Sequence, residues 1–518
     1  MLQLFQTLIY LKLIQLRYQV WYRLKRFLPS KKYSGNYNEA ASLRWKEWIK
    51  SYSTYNQCTF NFLNLSKTFN QEIDWNFHKY GKLWVYNLTY FDFLHQKEMD
   101  TSEGVRLMLS FAKKYASCKD GKEPYPTSLR IINWVKYLSE NKIDNHELKI
   151  VLRKDLTRLS DNLEYHLLAN HLLENALALL FGAYYFKDEK VYEKATSLLT
   201  EQLEEQIMKD GAHYEQSPMY HQIILYKVLD CIQLVAKNQW KEERGLKLLL
   251  SDKAAKMTNW LQQITFENGD IPLFNDAAKS IAPTTEQLVN YAKQLNIESK
   301  VLPLGESGYR AFRSEQFEMI ADVGNLSPSY QPGHSHADAL QFVLNIGGKP
   351  CIVDSGTATY ENNERRAYER STAAHNTVTV ANKNSSDVWS SFRVGRRAKV
   401  SILKDDSSYL EASHSGYLHL GVTHKRAFEI TESSIKINDH LEGRIKNGIA
   451  HLHFHPAVGV KQSSADSFFI GEAKLNIAGA SKILVESYQW SQQFNKTEDA
   501  TVLKIYFEGL VSTSINIK

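Results

Sequence analysis

Two histidines and a carboxylate stand together at Gly333-His334-Ser-His336-Ala-Asp338, where the chain enters Leu340-Gln-Phe342-Val-Leu344-Asn-Ile346. The period-two apolar positions predict a strand, and Gly347-Gly348 predicts a hairpin turn. The return run Pro350-Cys-Ile-Val ends on a second carboxylate, Asp354. A third histidine follows in Arg370-Ser-Thr-Ala-Ala-His375-Asn376-Thr377. Imidazoles and carboxylates at this density serve a metal ion, an acid–base pair, or both. The spacing equally fits an exposed histidine pair on one strand face, and it is less specific than a Cys-x-x-Cys zinc signature.

Two upstream stretches carry further chemistry. In Asn170-His171-Leu-Leu-Glu174-Asn175, Asn170 and Glu174 fall one helical turn apart. An amide or imidazole held by Glu174 could donate to a substrate carboxylate, although an ordinary polar helix face reads the same way. In Asp210-Gly-Ala-His213-Tyr214-Glu215-Gln-Ser217-Pro-Met-Tyr220-His221, Ser217-Pro218 predicts a helix start. Tyr214 and Tyr220 then sit near a helix N-terminus, whose field favours a phenolate. A tyrosine of ordinary pKa, about 10, needs such help to act as a base near neutrality; packing is the alternative role. Arg130-x-x-Asn133-Trp134, and Arg366 and Arg370 around Tyr368, offer guanidinium groups suited to carboxylate or sulfate, or else a solvated basic face.

The block Gly333–Asp338, the hairpin ending at Asp354-Ser-Gly356, the block Arg370–Thr377 and the two upstream stretches resemble the heparinase II/III-like polysaccharide lyases. The resemblance runs from roughly residue 75 to residue 460 and is specific to the family, not to a substrate within it. It implies an α+β multidomain chain, an N-terminal incomplete (α/α) toroid followed by a C-terminal antiparallel β-sandwich. It implies β-elimination on a uronic-acid-containing glycan: removal of the C5 proton, departure of O4, and an unsaturated uronate end, with no organic cofactor. By the resemblance, Asn170 or His171 neutralises the uronate carboxylate. Tyr220, with Tyr214 the weaker choice, serves as base or as acid on O4, and His334 is the second acid–base group. His336, Asp354 and His375 are the ligands of a structural zinc ion found in parts of the family. Arg130, Asn133, Trp134, Glu174, Tyr214, Glu215, Arg366 and Arg370 are expected around the substrate. One difficulty is geometric. A simple hairpin puts Asp354 beside Gln341, about five residues along the ladder from His336, so a shared metal requires the His-Ser-His segment to leave the strand line.

Composition sets bounds. A chain of 518 residues needs more than one core. A net charge of +6 is a thin excess that tolerates an anionic polysaccharide and calls for no nucleic acid. Cys58, Cys118, Cys231 and Cys351 are widely spaced and suggest no disulfide framework. Residues 1–28 are apolar and aromatic, interrupted by Lys12, Arg17, Arg23, Lys25 and Arg26. They predict an amphipathic helix that lies on an anionic membrane surface or packs on the rest of the protein, not a spanning helix or a secretory leader. That places the chain in the cytoplasm or on the inner membrane face, whereas the resemblance places it in the periplasm. Residues 29–75 read as a linker with local structure, and 83–91 as a strand or a helix start. Helical periodicity then predicts segments at 102–117, 127–141, 146–158, 161–184, 188–208, 215–236, 244–264 and 284–295. After Gly305 the pattern is strand-like, with runs at 317–322, 398–403, 427–437 and 502–507. The divisions are therefore 1–75, 76–300 and 301–518. Two other functions remain compatible with the sequence, a metal-dependent hydrolase and a non-enzymatic glycan-binding or assembly protein of a surface-polysaccharide system.

Overall fold

The computed structural model describes residues 2–25, 27–28, 31–46, 48–241 and 244–517; Arg26 lies outside them. The first 28 residues form two helices rather than one, α1 (Leu2–Leu8) and α2 (Leu13–Lys25). The stretch expected as a linker contains a three-stranded antiparallel sheet, β1 (Tyr55–Asn56), β2 (Thr59–Phe62) and β3 (Leu65–Thr68). The aromatic block is helical, α3 (Lys82–Tyr90). Then follow α4 (Thr101–Lys114), α5 (Pro124–Glu140), α6 (His146–Ser160), α7 (Ala169–Phe186), α8 (Glu189–Gln206), α9 (Pro218–Lys237), α10 (Arg244–Ile264) and α11 (Thr285–Gln294). Packing runs between successive and next-but-one helices, as in paired α/α layers: α5 and α8 lie against α7, and α10 against α9. Among the described residues, no helix is long and apolar enough to cross a membrane.

α7 is the most deeply buried of the described helices. Every residue from Ala169 to Phe186 is buried except His171; after the polar first turns, which carry Asn170, His171, Glu174 and Asn175, the helix is apolar and belongs inside a larger body. Burying each of its leucines contributes about 1.5–3 kcal/mol. The helix starts eight residues later than its periodicity suggests, because Leu168 (φ 62°) and Ala169 (φ 54°) are left-handed. That bend delivers Asn170 and His171 to the helix entrance. α9 starts as expected: Pro218 opens it and the Ser217 side chain accepts from the Tyr220 N–H.

The β half begins with an antiparallel sheet of β4 (Tyr309–Arg313), β5 (Phe317–Asp322), β6 (Gln341–Ile346) and β7 (Lys349–Ile352). Gly347 and Gly348, both at positive φ, close the β6–β7 hairpin. A short helix α12 (Glu364–Glu369) and strands β8 (Val378–Val380), β9 (Val388–Trp389) and β10 (Arg393–Val394) follow. The large sheet comprises β11 (Val400–Asp405), β12 (Tyr409–His414), β13 (Val422–Ile430), β14 (Ser434–Gly443), β15 (Asn447–His453), β16 (Val460–Ser464), β17 (Ser467–Ile470), β18 (Ala473–Gln493) and β19 (Lys496–Ile517). Its order is β11-β12-β13-β14-β19-β18-β17-β16, with β15 pairing β19 and β8. The run expected as one strand at 427–437 is instead a hairpin, β13–β14, turning at 431–433. Phe342 and Leu344 of the small sheet share one core with Phe428, Leu452 and Ile505 of the large one, which makes the half a sandwich. Tyr309, Ile320, Tyr330 and Val343 belong instead to the core of the helical half, so the two halves meet across an apolar seam.

Candidate active site

Along that seam opens a cavity of about 1230 Å³. Asn170, His171, Glu215 and Tyr220 line it from the helical half, and His334, Tyr360, Phe392, Arg393 and Arg397 from the β half. The first turns of α7 and α9 line it with Asn170, His171, Met219 and Tyr220, and helix N-termini favour anions.

The His-Ser-His segment leaves the strand line, as a shared site requires. Leu340 (φ 65°) ends the ladder, and the preceding residues curl over the block 370–377. Ala337 N–H donates to Arg370 O (3.0 Å), Thr372 Oγ1 to Ala337 O (2.6 Å), Arg370 Nη2 to Ser335 O (3.0 Å) and Thr377 Oγ1 to Ala339 O (2.7 Å). Arg426 Nη1 donates to Leu340 O (2.8 Å) and Asn376 O (2.6 Å), and is itself held by Asp439. Asp354 is set by Gly356, whose N–H donates to Asp354 Oδ1 (2.9 Å). Gly356 has φ 78°, and a Cβ there would lie 1.6 Å from Ser491 O, so only glycine fits.

The centre of the site is Asp276, a residue the sequence reading missed. Its carboxylate accepts from Arg366 Nη1 and Nη2 (the latter at 2.7 Å), from His334 Nδ1 (2.9 Å) and from His336 Nε2 (2.9 Å). Burial alone would raise its pKa, but Arg366 and the two imidazole donors hold it well below the usual carboxylate range. An acceptor fixed at His334 Nδ1 places that proton and leaves the Nε2 lone pair facing outward. Glu215 Oε2 lies 3.7 Å from that nitrogen, and Glu215 Oε1 accepts from the Asn170 N–H (2.9 Å).

The Tyr220 ring lies 4.0 Å from the His334 ring, centroid to centroid, and its hydroxyl is 3.3 Å from that of Tyr360. Burial pushes Tyr220 above its ordinary value. The helix-end field therefore does not create a resting phenolate, and Tyr220 rests as the phenol. His171 Nδ1 donates to Glu164 Oε1 (3.0 Å). Burial would lower His171, but Glu164 outweighs it and the pKa is raised.

The other expected substrate contacts divide. Asn133 and Glu215 line the cavity, although the Asn133 amide is already bonded to Tyr90 O (2.9 Å) and to Asp92. Arg130 does not reach it: the guanidinium is fully buried on Asp155 (2.8 Å) and on the carbonyls of Thr89 and Gly121. Trp134 packs edge-on against Phe91 and Phe111 in the core. Tyr214 is buried against the Tyr330 hydroxyl (2.8 Å). Glu174 lies beneath the wall and anchors Lys227, which does line the cavity. Arg366 and Arg370 are buried: one holds Asp276, and the other holds Ser335 and the carbonyls of Ser390 and Arg393. Buried guanidinium groups with several acceptors are scaffolding. Amphipathic spacing cannot distinguish them from exposed ones, because the partner is remote in sequence. Tyr360, Arg393 and Arg397 were missed for the same reason.

The three expected metal ligands do not surround one point. His336 is engaged by Asp276, and Asp354 Oδ2 accepts from His375 Nδ1 (2.8 Å). Among the described residues, no group of three His, Cys, Asp or Glu is arranged to hold a cation. The rings of His336 and His375 are 5.2 Å apart, and His336 Nδ1 and His375 Nε2 are buried without a hydrogen-bond partner.

Comparison with known proteins gives the lineage. The family model described as heparinase II/III N-terminus matches residues 20–301, and the heparinase II/III-like C-terminal model matches residues 298–513. A heparin-sulfate lyase of Bacteroides stercoris is 26% identical over 345 residues, 59% of this chain and 48% of that protein. The chain thus spans about half the length of the curated relative it matches. In fold it is similar to a crystal structure of heparinase III, with a TM-score of 0.64 at 16% identity, covering 87% of this chain and 80% of that one. The heparan sulfate lyase of Pedobacter heparinus gives a TM-score of 0.56 at 16% identity, covering 89% and 81%. With both of its halves matched in order, the chain belongs to the heparinase II/III family.

Proposed function

We propose that the protein is a polysaccharide lyase that cleaves a uronate-containing glycan by β-elimination. The observation that carries this is the convergence of Asn170, Tyr220 and His334 on one cavity, with His334 oriented by Asp276. The Asn170 carboxamide, at the entrance of α7, donates to the uronate carboxylate, and the helix end adds its field. This offsets the charge that develops as C5 loses its proton. His334 Nε2 takes the C5 proton, and the imidazolium that forms keeps its Nδ1–H on Asp276. The C5–H electron pair becomes the C4=C5 double bond as the C4–O4 bond breaks. Tyr220 gives its proton to O4. The tyrosinate recovers a proton from His334, whose ring lies against it, so one turnover leaves the enzyme unchanged and consumes no water. Arg393 and Arg397 on the wall suit an acidic polymer. The names of the relatives point to heparan-type glycosaminoglycans as the first substrates to try.

A structural zinc ion on His336, Asp354 and His375 belongs to the same proposal; binding it would exchange the hydrogen bond between Asp354 and His375 for ligation. It is supported by the two unpartnered ring nitrogens and by a donor set of two imidazoles and one carboxylate, which suits zinc. When bound, the ion would tie the β6–β7 hairpin to the segment bearing His334; no step of the reaction passes through it.

The test is ultraviolet absorbance of unsaturated uronate on heparan sulfate, heparin, hyaluronan, chondroitin and alginate, for wild type beside Tyr220→Phe. The expected result is a rise on at least one polymer, lowered roughly 10²–10⁴-fold in the variant. Saturated products would identify a hydrolase instead. Binding without product would identify a glycan-binding protein.

A further inference from the structure

We propose that α1 and α2 form a strap that docks on an anionic lipid bilayer and holds the cavity wall they form against that surface. The inference goes beyond the lyase reading and does not need it.

The strap has two unlike faces. Its inner face closes the cavity: Leu4, Leu8, Leu11, Leu16 and Gln19 line it. It is fastened to both halves of the molecule. Gln15, fully buried, donates to Leu167 O (3.2 Å), Tyr22 to Leu163 O (2.6 Å), and Lys12 pairs with Glu205. On the β half, Thr7 Oγ1 donates to Val394 O (3.1 Å), Trp389 Nε1 donates to Thr7 Oγ1 (3.2 Å), and the Arg397 guanidinium stacks on Tyr10 at 3.7 Å. α1 and the first turns of α2 precede the part of the chain that the family models match, which begins at residue 20.

The outer face is apolar to a degree found nowhere else among the described residues. Twelve of their twenty-three exposed large apolar side chains fall between Leu4 and Leu28, and eight of the twelve do not line the cavity. Phe5, Ile9, Leu13, Trp21 and Phe27 stand 63%, 61%, 84%, 46% and 87% exposed. A patch of this kind marks an interaction surface. Charge selects the occupant. The first 38 residues contain no aspartate or glutamate and seven lysines or arginines; Lys12 and Lys31 pair with Glu205 and Asp161, and Arg17 and Lys32 stand exposed. A second copy of the chain would set these cations against themselves, whereas an anionic bilayer neutralises them while taking up the apolar and aromatic side chains. Among the described residues no helix is long and apolar enough to span, and the strap is proposed to lie in the interface. An α-helix is about 10–12 Å across, so the cavity wall and the lipid headgroups are one helix apart.

The experiment is sedimentation of the full chain with phosphatidylcholine vesicles, with and without phosphatidylglycerol, for wild type and Leu13→Asp/Phe27→Asp. Neither residue lines the cavity, and circular dichroism checks that the variant folds. Wild type is expected to pellet with the anionic vesicles only. Partitioning should fall about tenfold or more in the variant and in salt of about 1 M, where screening shortens to about 3 Å. Wild type staying in solution with anionic vesicles overturns the proposal, as does a folded variant that pellets like wild type. A dimer by light scattering that the variant abolishes, without vesicle binding, assigns the face to self-association and also overturns it. No substrate is present, so failure of the lyase reading leaves this result standing.

Discussion

Asp276→Asn separates the two tasks assigned to this carboxylate. It is fully buried and accepts four hydrogen bonds, two from Arg366 and one each from His334 and His336. The asparagine amide has a single acceptor oxygen, so its NH₂ must face donors, and the Arg366 guanidinium is left buried without a counter-charge. Breaking a buried ion pair on one side costs about 3–5 kcal/mol. At about 2–4 °C per kcal/mol for a body of some 200 residues, melting should fall by on the order of 10 °C. The second consequence is kinetic. Without a strict acceptor at Nδ1, His334 is no longer held in the tautomer whose Nε2 lone pair faces the substrate. Turnover should drop roughly 10²–10⁴-fold, with KM changing little because Asn170 and the wall arginines are untouched. The assay is thermal melting by circular dichroism beside initial rates of unsaturated uronate formation, taken well below the melting point of the variant. A folded variant that turns over within about threefold of wild type would refute His334 as the oriented base.

Arg130→Met removes a buried partner of Asp155 and should destabilise by about 3–5 kcal/mol in urea unfolding while leaving KM unchanged; a raised KM at full stability would restore a substrate role. Asp439 is pushed up by burial but pulled well below the ordinary carboxylate value by Arg426 and His424. A depressed folded pKa means this stabilisation is complete above the unfolded value, about 3.9, and is lost as pH falls through the folded one. Wild type should therefore lose stability below about pH 4 more steeply than Asp439→Asn in denaturant titrations, and parallel slopes would contradict the ion pair. If zinc is bound, elemental analysis should find about one ion per chain, and chelation should lower the melting temperature; His375→Ala should abolish both the ion and the chelator effect.

Much of the fold is local and therefore legible. The α9 start follows from Ser217 and Pro218 because capping needs only neighbours, and the Gly347-Gly348 turn follows because both residues must adopt positive φ. Helices α4 to α11 lie close to their periodic segments. The exceptions share one cause. α7 starts at Ala169 because two left-handed residues precede it, and tertiary contacts maintain that strain. β13 and β14 form a hairpin where alternation alone reads a continuous run. Among site residues, Asn170, Tyr220 and His334 were named from sequence and meet in the cavity. Asp276 could not be named, since a lone carboxylate between α10 and α11 carries no periodicity or motif.

By itself the sequence determined which groups this protein brings to its chemistry, the family to which it belongs, and the order of a helical half before a sandwich. These follow from side-chain type and short-range spacing. Only the tertiary structure decided which of the charged groups face the cavity and which are buried scaffolding. It placed Arg130 on Asp155, Arg366 on Asp276 and Arg370 under the histidine segment. It also laid α1 and α2 across the cleft. The physical reason is that a charge becomes scaffold or tool according to whether a partner is present to offset its desolvation. Here those partners lie tens of residues away and come close only when the chain folds.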